Sequence, residues 1–198
     1  MEKLILSEDE IVRVCSRLAK EIDSKLDETK NGVPVLVGIM NGALPFLYEL
    51  VKHIKHPIEI DTIKASSYSG TETTGKVNIT KEPDINLEGR DVILVEDIID
   101  TGITMHYLRE YVKEKYKPKN LYICILVKRE TEKAQYDELA DFTGLSTDEQ
   151  RYIVGFGFDY YGLWRNEPYV FVPSKKDIEE WDKIIEDDKK LHSDLRLK

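Results

Sequence analysis

"VILVEDIIDTG", Val92 to Gly102, opens as a buried strand and then sets Glu96 and Asp97 directly behind four apolar residues. Ile98 and Ile99 follow, and then Asp100-Thr101-Gly102. An uncompensated carboxylate beside a core costs several kcal/mol or titrates to neutral, so these acids need partners. The turn after them suggests one kind of partner. "DTGIT", Asp100 to Thr104, joins the strand to a helical stretch, Ile103 to about Tyr116, through one glycine and two threonines. Backbone amides at a helix N-terminus, with threonine hydroxyls beside them, form an anion site. The plainer alternative is that Asp100 or Thr101 caps the helix. The spaced Gly-Lys-Ser/Thr of a Walker loop is absent. A phosphate cradle directly after two carboxylates fits a substrate carrying both phosphate and a metal-chelating diol or pyrophosphate, because Mg2+ keeps several waters and takes few protein ligands. Successive strand residues face opposite ways, so Glu96 and Asp97 need not share one role.

The rest of the chain places this stretch in a sheet. Ser7 and Glu10 have capping-box spacing, and Ile11, Val14, Cys15, Leu18, Ile22 and Leu26 follow at helical intervals until Asn31-Gly32. "VPVLVGIM" (Val33 to Met40) and "NLYICILVK" are short continuous apolar runs, which suit strands covered on both faces. "LPFLYELVKHI" reads as a helix, and "IEIDTIKASSY" as a strand leading into the turn-rich "SGTETTGK". Residues 129 to 151 read as polar and irregular, "RYIVGFGF" and "PYVFVP" as two further β runs, and the tail from Ser174 as an amphipathic helix with Trp181 on its apolar stripe. Strand–helix alternation predicts right-handed crossovers and an α/β fold, a largely parallel twisted sheet flanked by helices. Ligands of such sheets bind beyond the carboxyl ends of the strands, where Glu96 and Asp97 lie.

Composition narrows the partners. At 198 residues the expectation is a single domain, 1–198, with a core of about 33–172 and a C-terminal helix over 174–198. A net charge of -9 argues against nucleic acid, and no apolar run has the roughly 20 residues of a membrane span. "MEKLILSEDE" lacks the basic and apolar regions of a secretory signal, and the two cysteines have no metal spacing. A cytoplasmic location is therefore expected. The four histidines are scattered and suggest neither a metal site nor a nucleophile dyad.

"VILVEDIIDTGIT" resembles the phosphoribosyl-pyrophosphate motif of the type I phosphoribosyltransferases, and other pieces in the same order resemble the hypoxanthine-guanine phosphoribosyltransferases. "VGIMNGALPFL" is similar to their pyrophosphate loop, "SSYSGTETTGKV" to the flexible active-site loop, and "LVKRE" and "YIVGFGFDYYGLWRNEPYV" to the purine-binding strand and a small C-terminal hood region. The resemblance implies Mg2+-dependent transfer of the 5-phosphoribosyl group from phosphoribosyl pyrophosphate to hypoxanthine or guanine, by a homodimer or homotetramer. It implies that Glu96 and Asp97 hold the ribose hydroxyls and water-linked Mg2+, and that Asp100 is the general base near purine N7. Thr101, Gly102, Ile103 and Thr104 would take the 5'-phosphate. Asn41, Gly42 and Arg165 would contact pyrophosphate, and the Met40-Asn41 step would be a cis peptide. Many relatives carry lysine at the position of Asn41. Lys128 would meet the purine 6-oxo group, Tyr152 would stack on the base and Ile153 would offer backbone to its edge. Asp159 would be a second Mg2+-associated acid near the base. Taken singly, Lys128 also reads as a snorkelling lysine, Tyr152 as core and Arg165 as a cation–π partner of Trp164. The rival readings are a regulator that senses the ribosyl donor on the same fold, a xanthine-preferring transferase, and a phospho-accepting receiver domain.

Overall fold

The computed structural model describes residues 1–67, 77–132, 134–136 and 139–192. Most of the loop "SSYSGTETTGKV", residues 68–76, lies outside them. Two units make up the chain: Asp9–Gln150, and a smaller one that joins Met1–Glu8 to Arg151–Lys198.

The larger unit is a six-stranded sheet with helices. Its elements are α1 (Glu8–Thr29), β2 (Val35–Met40), α2 (Leu44–Val51), β3 (Glu59–Ser67), β4 (Val77–Lys81), β5 (Asp91–Ile99), α3 (Ile103–Tyr116), β6 (Asn120–Arg129) and β7 (Phe142–Thr147). The strand order is β4-β3-β2-β5-β6-β7, with every pairing parallel except β3 with β4. The apolar runs of β2 and β5 are buried, and that of β6 is buried from Ile123 to Val127, as expected of strands covered on both faces of a parallel sheet. Val92 and Leu94 point into one core with Met105, Leu108 and Val112 of α3.

Connectivity fixes where the chemistry can sit. From β2 the chain crosses outward to β3, whereas from β5 it crosses the other way to β6, so the sheet's direction of winding reverses between β2 and β5. A crevice opens at the carboxyl ends of two strands whose connections part in this way. The Met40–Gly42 loop leaves β2 there, and the acids of β5 stand beside it. Asp91, at the other end of β5, is an acid of a different kind. It is almost fully buried and accepts from Thr29 Oγ1 (2.5 Å), Asn31 Nδ2 (3.0 Å) and Asn120 Nδ2 (2.8 Å), so its charge is satisfied internally.

Three expectations need correction. β5, expected from the sequence over Asp91 to Val95 with the acids at its tip, runs on through both acids to Ile99. Residues 129 to 151 are not wholly irregular: Phe142–Thr147 pairs in parallel with β6 as the sheet's edge. Only Phe142 in it is buried, so the pattern of a covered strand is missing from the sequence. "RYIVGFGF" is not a strand. Val154 makes one bridge to Phe171, and then Gly155, Phe156 and Gly157 have φ of 97°, 47° and 101°, a left-handed run that no pleated strand can carry.

The smaller unit holds a two-stranded antiparallel sheet in which β1 (Lys3–Leu6) pairs with β8 (Val170–Val172), Leu4 opposite Phe171. The C-terminal helix α4 (Lys175–Leu191) follows as expected. Ser174 and Asp177 cap it reciprocally: the serine hydroxyl accepts from the Asp177 amide, and the Asp177 carboxylate accepts from the Ser174 amide. Both cysteines are free and buried, and burial pushes Cys15 up to about 12. Among the described residues no helix is long and apolar enough to cross a membrane.

Candidate active site

Three pieces of the larger unit are brought together by the winding reversal between β2 and β5. The first is the loop after β2, where the Met40-Asn41 peptide is cis, as the resemblance implied. Asn41 is exposed, and its carbonyl accepts from the Leu44 amide at 3.3 Å as α2 begins. The second is the pair of acids in β5. Asp97 is buried and Glu96 is half-buried. The Glu96 carboxylate accepts from the Asp97 amide (3.0 Å), and that of Asp97 from the Ile98 amide (2.8 Å). These two pieces touch. A Cβ on Gly42 would lie 2.0 Å from Oδ2 of Asp97, so only glycine allows the β2 loop and the β5 acid this approach.

That approach gives a testable outcome. Gly42→Ala must push the Asp97 carboxylate or the loop by an ångström or more, and displacements of that size at a reacting centre can lower rates about 100-fold. If Asp97 acts on the ribosyl donor as the resemblance implies, kcat/KM for that donor falls by roughly 10- to 100-fold, with a melting temperature close to that of the unmodified chain. Unchanged donor kinetics would show that Asp97 needs no fixed place.

The third piece is the turn into α3. The N-cap is Gly102, in the left-handed conformation (φ 78°) and without a side-chain cap bond, so neither Asp100 nor Thr101 caps this helix. No acidic residue occupies the first turn, and Lys113 and Lys115 stand in the last, so the charge on the helix is arranged to favour an anion at its start. The loop after β6 braces the turn from outside. Gln135 donates its amide to the Thr101 carbonyl (3.0 Å), and the Tyr136 ring stacks on His106 at 3.9 Å and 2°. A Cβ at Gly102 would strike the Tyr136 carbonyl at 2.6 Å.

Asp100 projects from this turn with half of its side chain exposed. Arg129, the last residue of β6, carries a guanidinium 3.6 Å from the Asp100 carboxylate and is itself only 13% exposed. The sequence reading gave Arg129 no role, although it is the residue after Lys128. A basic residue at the end of a buried strand was the available signal. Lys128 pairs with Ile99 of β5 and Ser146 of β7, so it ends the strand beside the one that leads to Asp100.

The other expected residues belong to the smaller unit. Tyr152 is 56% exposed, and burial together with the Asp159 carboxylate pushes its phenol up. Ile153 is buried. Asp159 and Arg165, read from the sequence as contacts for different groups, are paired here at 2.6 Å. Asp159 also accepts from the Gly162 amide (2.6 Å), and Arg165 donates to the Gly157 carbonyl (2.5 Å).

The donor set at the end of β5 suits one metal class. Among the described residues no three His, Cys, Asp or Glu side chains converge as a metal cage. Two carboxylates, and no thiolate or imidazole, fit a hard ion that keeps waters and takes further oxygens from a substrate.

The chain is similar to known proteins in sequence and in fold. Residues 3–161 match the family model described as phosphoribosyl transferase domain. The hypoxanthine-guanine-xanthine phosphoribosyltransferase of Tritrichomonas foetus is 39% identical over 86% of this chain and 90% of its own. The hypoxanthine-guanine phosphoribosyltransferase of Bacillus subtilis is 38% identical over 87% and 93%. A crystal structure of a hypoxanthine-guanine phosphoribosyltransferase from Bacillus anthracis superposes with a TM-score of 0.80 at 34% identity, covering 88% of this chain and 99% of that one.

Proposed function

The chain belongs to the hypoxanthine-guanine phosphoribosyltransferase family, and from that premise we propose which of its residues carry out the transfer. The reaction is purine salvage: the 5-phosphoribosyl group passes from phosphoribosyl pyrophosphate to hypoxanthine or guanine, giving IMP or GMP and pyrophosphate. One observation supports the assignment of roles above the others. The uncapped, glycine-headed start of α3, with Gly102 two residues after Asp100, follows the strand whose acid Asp97 rests against the Gly42 loop.

On this reading the amides and hydroxyls of Thr101 to Thr104 take the 5'-phosphate, which orients the ribose over the end of β5. A bond forms between the purine nitrogen and C1 of the ribose as the bond from C1 to pyrophosphate breaks. The sugar then carries positive charge, which the carboxylates of Glu96 and Asp97 favour. The purine gives up a proton as it attacks, and the Asp100 carboxylate receives it. The Gly42 and Asn41 backbone, with Arg165, binds the departing pyrophosphate. Lys128 donates to the 6-oxo group, Tyr152 stacks on the base, Ile153 offers backbone to its edge, and Asp159 reads its far side. When bound, Mg2+ held by Glu96 and Asp97, with Asp159 as a second associated acid, supplies charge compensation for the leaving group. We further infer a homodimer or homotetramer in the cytoplasm, which the family relationship supports.

The deciding assay incubates hypoxanthine, guanine, xanthine and adenine separately with phosphoribosyl pyrophosphate and Mg2+, and separates the products. Nucleotide from the first two is the expected result. Xanthine belongs in the panel because the relative from Tritrichomonas foetus is named for it. Absence of nucleotide from all four bases would leave donor sensing without turnover.

A further inference from the structure

We propose that α4 sets the base platform, with Trp181 and Asp182 acting as positioning residues for Tyr160 and Trp164 and, through Tyr160, for Tyr152. The proposal rests on the reading of Tyr152 as the ring that stacks on the base. All of these residues lie within the smaller unit.

The contacts form a chain. Trp181 stacks on Trp164 at 4.2 Å between ring centres and 20° between planes. It also meets Tyr160 at 5.8 Å and 48°, and Phe171 of β8 edge-on at 6.2 Å. One residue along α4, Asp182 accepts a 2.9 Å hydrogen bond from the Tyr160 hydroxyl. Tyr160 is therefore gripped twice by α4, on its ring and on its hydroxyl. Its ring in turn meets Tyr152 in an edge-to-face contact at 5.9 Å and 84°. Trp164 adjoins Arg165, which pairs with Asp159. Tyr160 to Arg165 are held in a tight turn, with Tyr161 and Trp164 at positive φ and Tyr160 bonded to Leu163 in both directions at 3.1 Å. A turn with so many fixed torsions moves as a piece, and α4 holds that piece by its two largest rings.

Burial alone is a weak explanation of α4. Ile185 is its one buried residue, while Ile184 and Leu191 on the same helix are exposed. The ring contacts of Trp181 and the hydrogen bond of Asp182 fall on residues adjoining the proposed base contacts. The hydrogen bond to Asp182 pushes the Tyr160 phenol up to about 12, so its hydroxyl remains a donor across the working pH range. Aromatic pairs of this geometry prefer offset-stacked and edge-to-face arrangements, so shifting the Tyr160 ring re-aims the Tyr152 ring.

The test compares Trp181→Ala, Trp181→Phe, Asp182→Ala and Tyr152→Ala, with the exposed Ile184→Ala as control, measuring KM for hypoxanthine, KM for the ribosyl donor and kcat. We expect Trp181→Ala to raise the hypoxanthine KM by roughly 10-fold and Asp182→Ala by roughly 3-fold, with the donor KM within about 2-fold. Trp181→Phe should restore most of the loss, and Ile184→Ala should behave as the unmodified chain. If Trp181→Ala fails to fold, Asp182→Ala decides. Both KM values rising together, or neither changing, overturns the proposal. Tyr152→Ala separates the two claims. If it leaves the hypoxanthine KM unchanged while Trp181→Ala raises it, the platform reading fails and the relay through Tyr160 fails with it. If Tyr152→Ala raises that KM and the α4 variants do not, only the role of α4 is overturned.

Discussion

The enzyme should discriminate against adenine by roughly 10^4-fold in kcat/KM relative to hypoxanthine, and Lys128→Ala should erase most of its activity on 6-oxopurines. An ammonium offers three donors and no acceptor. It satisfies a 6-oxo oxygen, but against the 6-amino group of adenine it meets another donor, and the hydrogen bond to the base is not made. Losing that bond in a site built around it is what makes the ratio large, because the penalty falls on enzyme and base together. Guanine should be used like hypoxanthine. Xanthine passes the Lys128 test as well, so its use depends on the 2-position, for which Asp159 is the proposed reader. Measuring kcat/KM for the four bases on the unmodified chain and on Lys128→Ala checks both parts. Adenine turnover comparable to that of hypoxanthine would overturn the assignment of Lys128.

The second large effect is expected from Asp100→Asn. Amide replaces carboxylate with almost no change of shape, so the turn into α3 and its anion site remain, while the proton acceptor is lost. A fall in kcat of about 10- to 1,000-fold should follow, with donor binding changed little. The structure adds a partner that sharpens the experiment. Arg129 stands 3.6 Å from the Asp100 carboxylate and pairs with it, so the double variant with Arg129→Met should lose much less than the two single effects combined. Additive losses would mean that the two residues act separately, and turnover by Asp100→Asn at the unmodified rate would remove the general base from Asp100.

Much of this was legible because the relevant signals are local. The apolar run of β5, its two acids and the glycine turn lie within eleven consecutive residues, and the helix after them ends at Tyr116 as its periodicity indicates. Parallel strands announce themselves by unbroken apolar runs, so β2, β5 and β6 could be read without a partner in view. What escaped depends on residues distant in sequence. β7 is a strand only because β6 offers it an edge, and its own residues are mostly polar or small. "RYIVGFGF" has the composition of a strand, but consecutive left-handed residues, Phe156 among them, turn it aside. The Arg129–Asp100 and Arg165–Asp159 pairs could not be read from spacing, since each joins residues whose separation, 29 and 6 positions, matches no regular element. Gly42 reads from the resemblance as a pyrophosphate contact in the β2 loop. That its missing side chain is the space filled by Asp97 required coordinates.

The pairing of β1 with β8 has a consequence for how the chain comes into being. Leu4 faces Phe171, so Lys3–Leu6 bonds to a strand made about 165 residues later. Asp9–Gln150 is uninterrupted in sequence, and every strand partner it needs is present once residue 147 has emerged. Domains form as units during synthesis, amino-terminal parts first. Here the order of assembly departs from the order of residues. The six-stranded sheet can form while Lys3–Leu6 still lacks a neighbour, and that short apolar strand remains an unpaired edge until Val170–Val172 has been made.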